Sequence, residues 1–379
     1  MPRTTKATPR QIEAMYDSGD NRVTQERNDF LLPQIRYLVK EEKWVNLRPE
    51  YQRRLVWSRK KKSLFIESLL MNIPIPPIFL YETDLNRYEV MDGQQRLNAI
   101  LEFYGGDLVL TGLETWSVLN GLRYNQCPPR IQRGLDRRRI SANVLVAENI
   151  DPRQADFIRR TVFERLNTGG MQLNAQELRN SLYTGSFNDL LIELAGTRLF
   201  DEIWGIPPYE DHYRKNEGFI SADLADNDLF SRMSDCEIVL RFFAFRDHRR
   251  IKGSVRRILD DYMRDHRSLP KSQIDGLRAA FLSRLETAHE IFGNKTFQVR
   301  DAKGKWRMSR PLFDAVMVSI DKLQDHKRSM IASKKRINEA LIKKLRRGSV
   351  YEIIVGKPNT AKAIKKRINI VYKLLRQYC

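Results

Sequence analysis

Asp92-Gly93-Gln94-Gln95-Arg96 brings a carboxylate, a glycine, two amides and a guanidinium together in five residues. A carboxylate can cap a helix or hold a metal ion through oxygen. Glycine lets a ligand approach the backbone closely. Side-chain amides can orient a water or a base edge, and a guanidinium offers a planar fork that matches phosphate oxygens. Together these groups suit phosphate chemistry. The plainer alternative is an Asp-Gly turn with Asp92 as an ordinary N-cap. Two glutamines and an arginine at the opening of a helix weigh toward a site.

The flanking pattern positions these groups. Tyr88 to Met91 reads as a short strand, and Leu97, Ile100, Leu101 and Tyr104 then recur at i, i+3, i+4 and i+7, one apolar stripe of a helix ending at Gly105-Gly106. A strand that passes through a tight turn into a helix N-terminus gathers backbone N–H groups and the positive end of the helix dipole, an arrangement that binds anions. Asp92, Gln94, Gln95 and Arg96 are therefore the candidate catalytic residues. Gly93 is the point of close approach, and Asp92 is a candidate ligand for Mg²⁺.

The rest of the chain divides by texture. Residues 1–30 are polar and weakly periodic and read as a poorly ordered arm. Residues 31–185 mix strand and helix patterns: Ser58 as N-cap of a helix to about Met71, strands at Ile78–Tyr81, Leu108–Leu110 and Ile140–Val146, a helix opened by Asp151-Pro152, and Asn174 with Glu177 as a capping pair. From 186 to 379 helical periodicity dominates, at Phe187–Leu194, Asp235–Phe245, Val255–Met263, Ile274–Phe292, Leu312–Leu323 and from about Thr360. The expected class is α+β, with a mixed N-terminal domain and a mainly helical C-terminal one.

Net charge is +20, and residues 327–379 hold 16 Lys/Arg against 2 Asp/Glu. A basic block of that density reads as a polyanion-binding surface, with a merely solvated tail as the alternative. Lys343, Lys344, Arg346, Arg347, Lys362, Lys365, Lys366 and Arg367 are the candidate DNA contacts. The last four fall largely off the apolar face formed by Ile364, Ile368, Val371 and Leu375. No apolar run is long enough to span a membrane, and the N-terminus does not read as a signal peptide. Cys127, Cys236 and Cys379 are odd in number and widely spaced, which fits a reducing cytoplasm. The five histidines show no metal-ligand spacing, and neither a P-loop nor a nucleophile elbow is present.

Several motifs in fixed order resemble the N-terminal domain of GmrSD-type, modification-dependent restriction proteins, related to SspE-like phage-defence proteins. They are Tyr51-Gln52-Arg53 with Val56-Trp57, Ile75-Pro76-Pro77-Ile78-Phe79-Leu80, the Asp92–Leu97 run, Phe163–Gly170 and Leu173–Asn180. The resemblance implies a ParB/sulfiredoxin-like fold and hydrolysis of a nucleoside triphosphate at Asp92–Arg96. It places Tyr51, Gln52, Arg53, Asn167, Glu177 and Arg179 around the same nucleotide. It also implies recognition of DNA, modified or not, in a defence system. Many members carry a His-Asn-His nuclease domain, for which this sequence offers no candidate. A separate nuclease subunit, a sensing role without cleavage, and a metal-dependent nuclease at Asp92 are the alternatives. The oligomeric state is left open, a homo-oligomer included.

Overall fold

The computed structural model describes residues 7–17, 24–47, 57–146, 158–159, 161–162, 165, 174–214, 219–301, 303–346, 348–355 and 360–379. It divides into two compact units, Met1–Leu173 and Asn174–Cys379.

The first unit is built on a five-stranded mixed sheet. In chain order the strands are β1 (Thr24–Leu31), β2 (Val45–Asn46), β3 (Ile78–Asp84), β4 (Arg87–Asp92) and β5 (Arg139–Val146), and their order across the sheet is β1-β5-β3-β4-β2. The β3–β4 pair is an antiparallel hairpin, whereas β5 runs parallel to β3 and β2 parallel to β4. The hairpin turn is held locally: the Asp84 carboxylate accepts from the Leu85 N–H at 2.8 Å, Glu82 accepts from the Asn86 N–H at 2.9 Å, and Asn86 takes φ +56°. Asn is among the residues that tolerate this left-handed conformation.

Helices α1 (Pro9–Asp17), α2 (Leu32–Arg36), α3 (Arg59–Leu70), α4 (Gln94–Gly105) and α5 (Pro129–Asp136) belong to the same unit. Ser58 caps α3 as expected, its hydroxyl accepting from the Lys61 N–H at 3.3 Å. Leu97, Ile100 and Phe103 of α4 are buried with Ile66 and Leu69 of α3 and with Ile78, Leu80, Val90 and Val144 of the sheet. Lys62 of α3 and Glu102 of α4 bridge the two helices at 2.6 Å.

Two expectations change here. Residues 24–30, read as part of an arm, belong to edge strand β1, paired antiparallel along β5 from Thr24↔Val146 to Leu31↔Arg139. Most of its side chains are exposed, so no alternation marks it in sequence. Leu108–Leu110 is not a strand: its leucines are buried, but Leu110 exchanges backbone bonds only with Gly121 and Leu122, at 2.8 and 3.0 Å.

The second unit is mainly helical, and six of its helices fall where the periodicity puts them: Ser186–Ala195, Ser234–Arg246, Val255–Asp265, Lys271–Phe292, Arg310–Lys322 and Ala361–Leu375; Ala175–Leu182 follows its capping pair, whereas Lys334–Leu345 is not among the expected helices. Its apolar core is crossed by ionic links. Arg179 bonds Asp260 at 2.8 Å and Glu237 at 3.0 Å, Arg241 bonds Asp314 at 2.9 and 2.5 Å, and Arg367 lies 3.9 Å from the same Asp314. Asp314 and Arg367 are fully buried, so each charge depends on its neighbours for what water would otherwise supply.

Candidate functional site

At the end of β4 the chain turns through Gly93, which takes φ +99° and is the N-cap of α4. A side chain there is excluded twice over: the conformation disfavours it, and a Cβ would lie 2.3 Å from Ile78 Cγ2. Asp92 is therefore the last strand residue and not the helix cap. Its carboxylate is half-exposed and receives the Arg96 Nη2–H at 2.5 Å.

Arg96 points into protein. Its side chain is 11% exposed, and Nη1 donates to the Pro76 carbonyl and, at 3.3 Å, to the Pro77 carbonyl. Pro76 and Pro77 immediately precede β3, so the guanidinium ties the start of β3 to the end of its antiparallel neighbour β4. Burial pushes the Arg96 pKa below its ordinary value, and Asp92 pulls it partly back. Arginine stays charged at neutral pH under such a shift.

The two glutamines reach to either side of one segment. Gln94 Nε2 donates to the Leu47 carbonyl at the exit of β2, and Gln95 Oε1 accepts from the Trp57 N–H at 3.0 Å. Leu47 and Trp57 flank residues 48–56, the stretch containing Tyr51-Gln52-Arg53. The corner thus anchors the chain on both sides of that motif. Trp57 is itself fixed, edge-on to Phe65 at 5.5 Å with the Lys61 ammonium 5.1 Å from its ring.

The sequence-predicted residues separate into three groups. Asp92, Gly93, Gln94, Gln95 and Arg96 come together as one corner. Tyr51, Gln52, Arg53, Asn167 and Arg347 lie outside the described residues. Glu177 and Arg179 sit on the first helix of the second unit, where both have local work. Asn174 and Glu177 form the expected capping box, with the Asn174 N–H donating to Glu177 Oε2 at 2.6 Å. Burial raises the Glu177 pKa, opposed by that N–H and by Arg232, which lies 3.5 Å away. Arg179 is almost fully buried between Asp260 and Glu237.

Of the basic candidates, Lys343, Arg346, Lys362 and Lys366 are exposed, and Lys344 and Lys365 are partly so. Arg367 departs from its expected place: it is wholly buried beside Asp314, and burial lowers its pKa. Its position in the helix, three residues after Ile364 and four before Val371, puts it on the apolar face. The partners that complete the corner, Leu47, Trp57, Pro76 and Pro77, contribute backbone groups, which no residue-type search detects. The Pro-Pro pair next to a strand was the one visible sign of a fixed acceptor.

Residues 35–184 match the GmrSD restriction endonuclease, N-terminal domain. The resemblance read from the motifs is borne out over that stretch, about two fifths of the chain. The GmrSD-type segment contains all of β2–β5 and the whole corner, and it runs on into the capped helix Ala175–Leu182 of the second unit. Comparison with curated proteins and with solved structures returned no match.

Proposed function

We propose that this protein is the nucleotide-hydrolysing, DNA-binding component of a restriction or phage-defence system, with the corner at Asp92–Arg96 as its nucleotide site on a ParB/sulfiredoxin-like domain. One observation carries the reading: within a GmrSD-type segment, the two glutamines of the corner hold the chain on both sides of Tyr51-Gln52-Arg53. A ligand at the Gly93 turn would meet the first-turn amides of α4. Gly93 lacks a side chain to cap those amides, which suits phosphate oxygens.

The roles follow from the contacts. Asp92 offers the oxygen that Arg96 does not occupy, to Mg²⁺ or to the attacking water. A single half-exposed carboxylate fits Mg²⁺ held mainly by phosphates and waters; among the described residues no cluster of three metal-ligating side chains surrounds it. Arg96 orients Asp92 and fixes the Pro76–Pro77 carbonyls. Gln94 and Gln95 hold Leu47 and Trp57, the described residues that flank the Tyr51–Arg53 motif in sequence. Wild type should hydrolyse a nucleoside triphosphate, and Asp92→Asn, with its fold checked by circular dichroism, should lose activity by about two orders of magnitude or more. Equal rates in wild type, Asp92→Asn and Arg96→Lys would end the enzyme reading.

A second reading, nucleotide sensing without hydrolysis, is favoured by the state of Arg96, whose donors are already engaged by Pro76, Pro77 and Asp92. Saturable nucleotide binding without product would select it.

A further inference from the structure

The helical unit has a basic cleft of about 730 Å³ between the loop after Ser234–Arg246, the end of Arg310–Lys322 and the helix Ala361–Leu375. Its polar walls are His248, Lys322, Lys365, Lys366, Asn369 and Tyr372. No carboxylate lines it, and among the described residues none of the three lysines has a carboxylate partner. Elsewhere in this unit the pattern is the reverse: Arg179, Arg241, Arg246, Arg278 and Arg284 each pair with an acid at 3.0 Å or less. Burial and then the charges of Lys365 and Lys322 hold the His248 imidazole below its ordinary pKa. Three lysines gathered around one histidine repel one another unless an anion joins them.

The width of the surface says what kind of anion. Residues following His248 line a second cleft, of about 550 Å³, with Arg249, Arg250, Lys252 and Arg257 on its walls. One loop, Asp247–Gly253, therefore lines both clefts, with His248 in the first and Arg249, Arg250 and Lys252 in the second. The second is partly neutralised, Arg249 by Asp247 at 3.2 Å, Arg250 by Asp265 at 3.2 Å and Arg257 by Asp261 at 3.6 Å. Two open basic clefts sharing a loop suit an extended chain of phosphates, and Tyr372 and Asn369 offer an aromatic face and an amide beside it.

Resting on the DNA-binding part of the function proposed above, we infer that the sugar–phosphate backbone of DNA is held at the Lys322–Lys365–Lys366 cleft and along the Asp247–Gly253 loop. Lys343, Lys344 and Arg346 line neither cleft. His248, Lys322 and the loop arginines lie outside the basic C-terminal block and are distinguished only by their place in the fold.

The test is fluorescence anisotropy of the full-length protein with a labelled duplex over a salt series. Lys365→Ala with Lys366→Ala should weaken binding on the order of tenfold for each phosphate left without its lysine at about 0.1 M salt, and lower the salt slope by about one for each such phosphate. Arg249→Ala with Arg250→Ala should act in the same direction but less, and Lys343→Ala with Lys344→Ala least. Lys365→Arg with Lys366→Arg should restore binding, separating charge from folding. If wild type binds with a steep slope and the cleft variants match it, the inference fails while the DNA reading stands. If wild type shows no salt-dependent affinity, both fail. Displacement of the duplex by nucleoside triphosphate through these same lysines would overturn the assignment to a DNA backbone.

Discussion

The corner at Asp92–Arg96 and the cleft at His248, Lys322, Lys365 and Lys366 both gather positive charge, and they use it in opposite ways. At the corner the guanidinium is mostly buried, and two backbone carbonyls and a carboxylate take its donors. In the cleft three ammonium groups face a shared space with no carboxylate partner among the described residues. The first arrangement holds protein together; the second has binding capacity to spare. Formal charge in a sequence does not distinguish them, because what matters is whether the fold supplies the anion.

The strongest way to break that contrast lies in the buried ionic core, where arginines and carboxylates face each other out of reach of water. Asp314→Ala removes the buried carboxylate that Arg241 and Arg367 share and should cost about 3–5 kcal/mol in urea unfolding. A loss below about 1 kcal/mol would mean that these cations find other partners. Next comes the turn of the corner. Gly93→Ala must force a Cβ against Ile78 at φ +99° and should cost about 2–4 kcal/mol.

Paired variants sharpen the comparison directly. Arg96→Lys should lower stability by about 1–3 kcal/mol, since one ammonium cannot reproduce the fork, and leave the DNA salt slope unchanged. Lys365→Ala with Lys366→Ala should do the reverse, changing stability by no more than about 0.5 kcal/mol while weakening DNA binding. An exchange of these outcomes would refute the distinction between the two regions.

The smallest expected effect is on pH dependence. Burial and the neighbouring lysines disfavour the His248 imidazolium, Asp247 favours it, and a bound phosphate favours it further. Binding then takes up a proton, so DNA affinity should rise as pH falls from about 7.5 to about 5.5. His248→Gln should flatten that rise in the same anisotropy measurement.

Much of the local structure was legible. Ser58 and the Asn174–Glu177 pair mark helix starts because a cap is a contact between residues three apart. Six helices of the second unit, from Ser186–Ala195 to Ala361–Leu375, follow from apolar spacing alone. The strand–turn–helix around Gly93 was visible for the same reason, including the five residues that form the corner. Residues 24–30 were missed because an exposed edge strand needs only a partner, and β5 lies more than a hundred residues away.

The sequence by itself determined the periodicities, the caps, the motif run and the excess of positive charge, all of which are expressed over a few neighbouring residues. The tertiary structure alone decided that Arg96 reaches the Pro76 and Pro77 carbonyls, that Gln94 and Gln95 reach Leu47 and Trp57, and that His248 and Lys322 join Lys365 and Lys366. Each depends on which distant chain segment arrives opposite a side chain. Pairing, burial and the supply of acceptors are properties of that encounter and not of the residue.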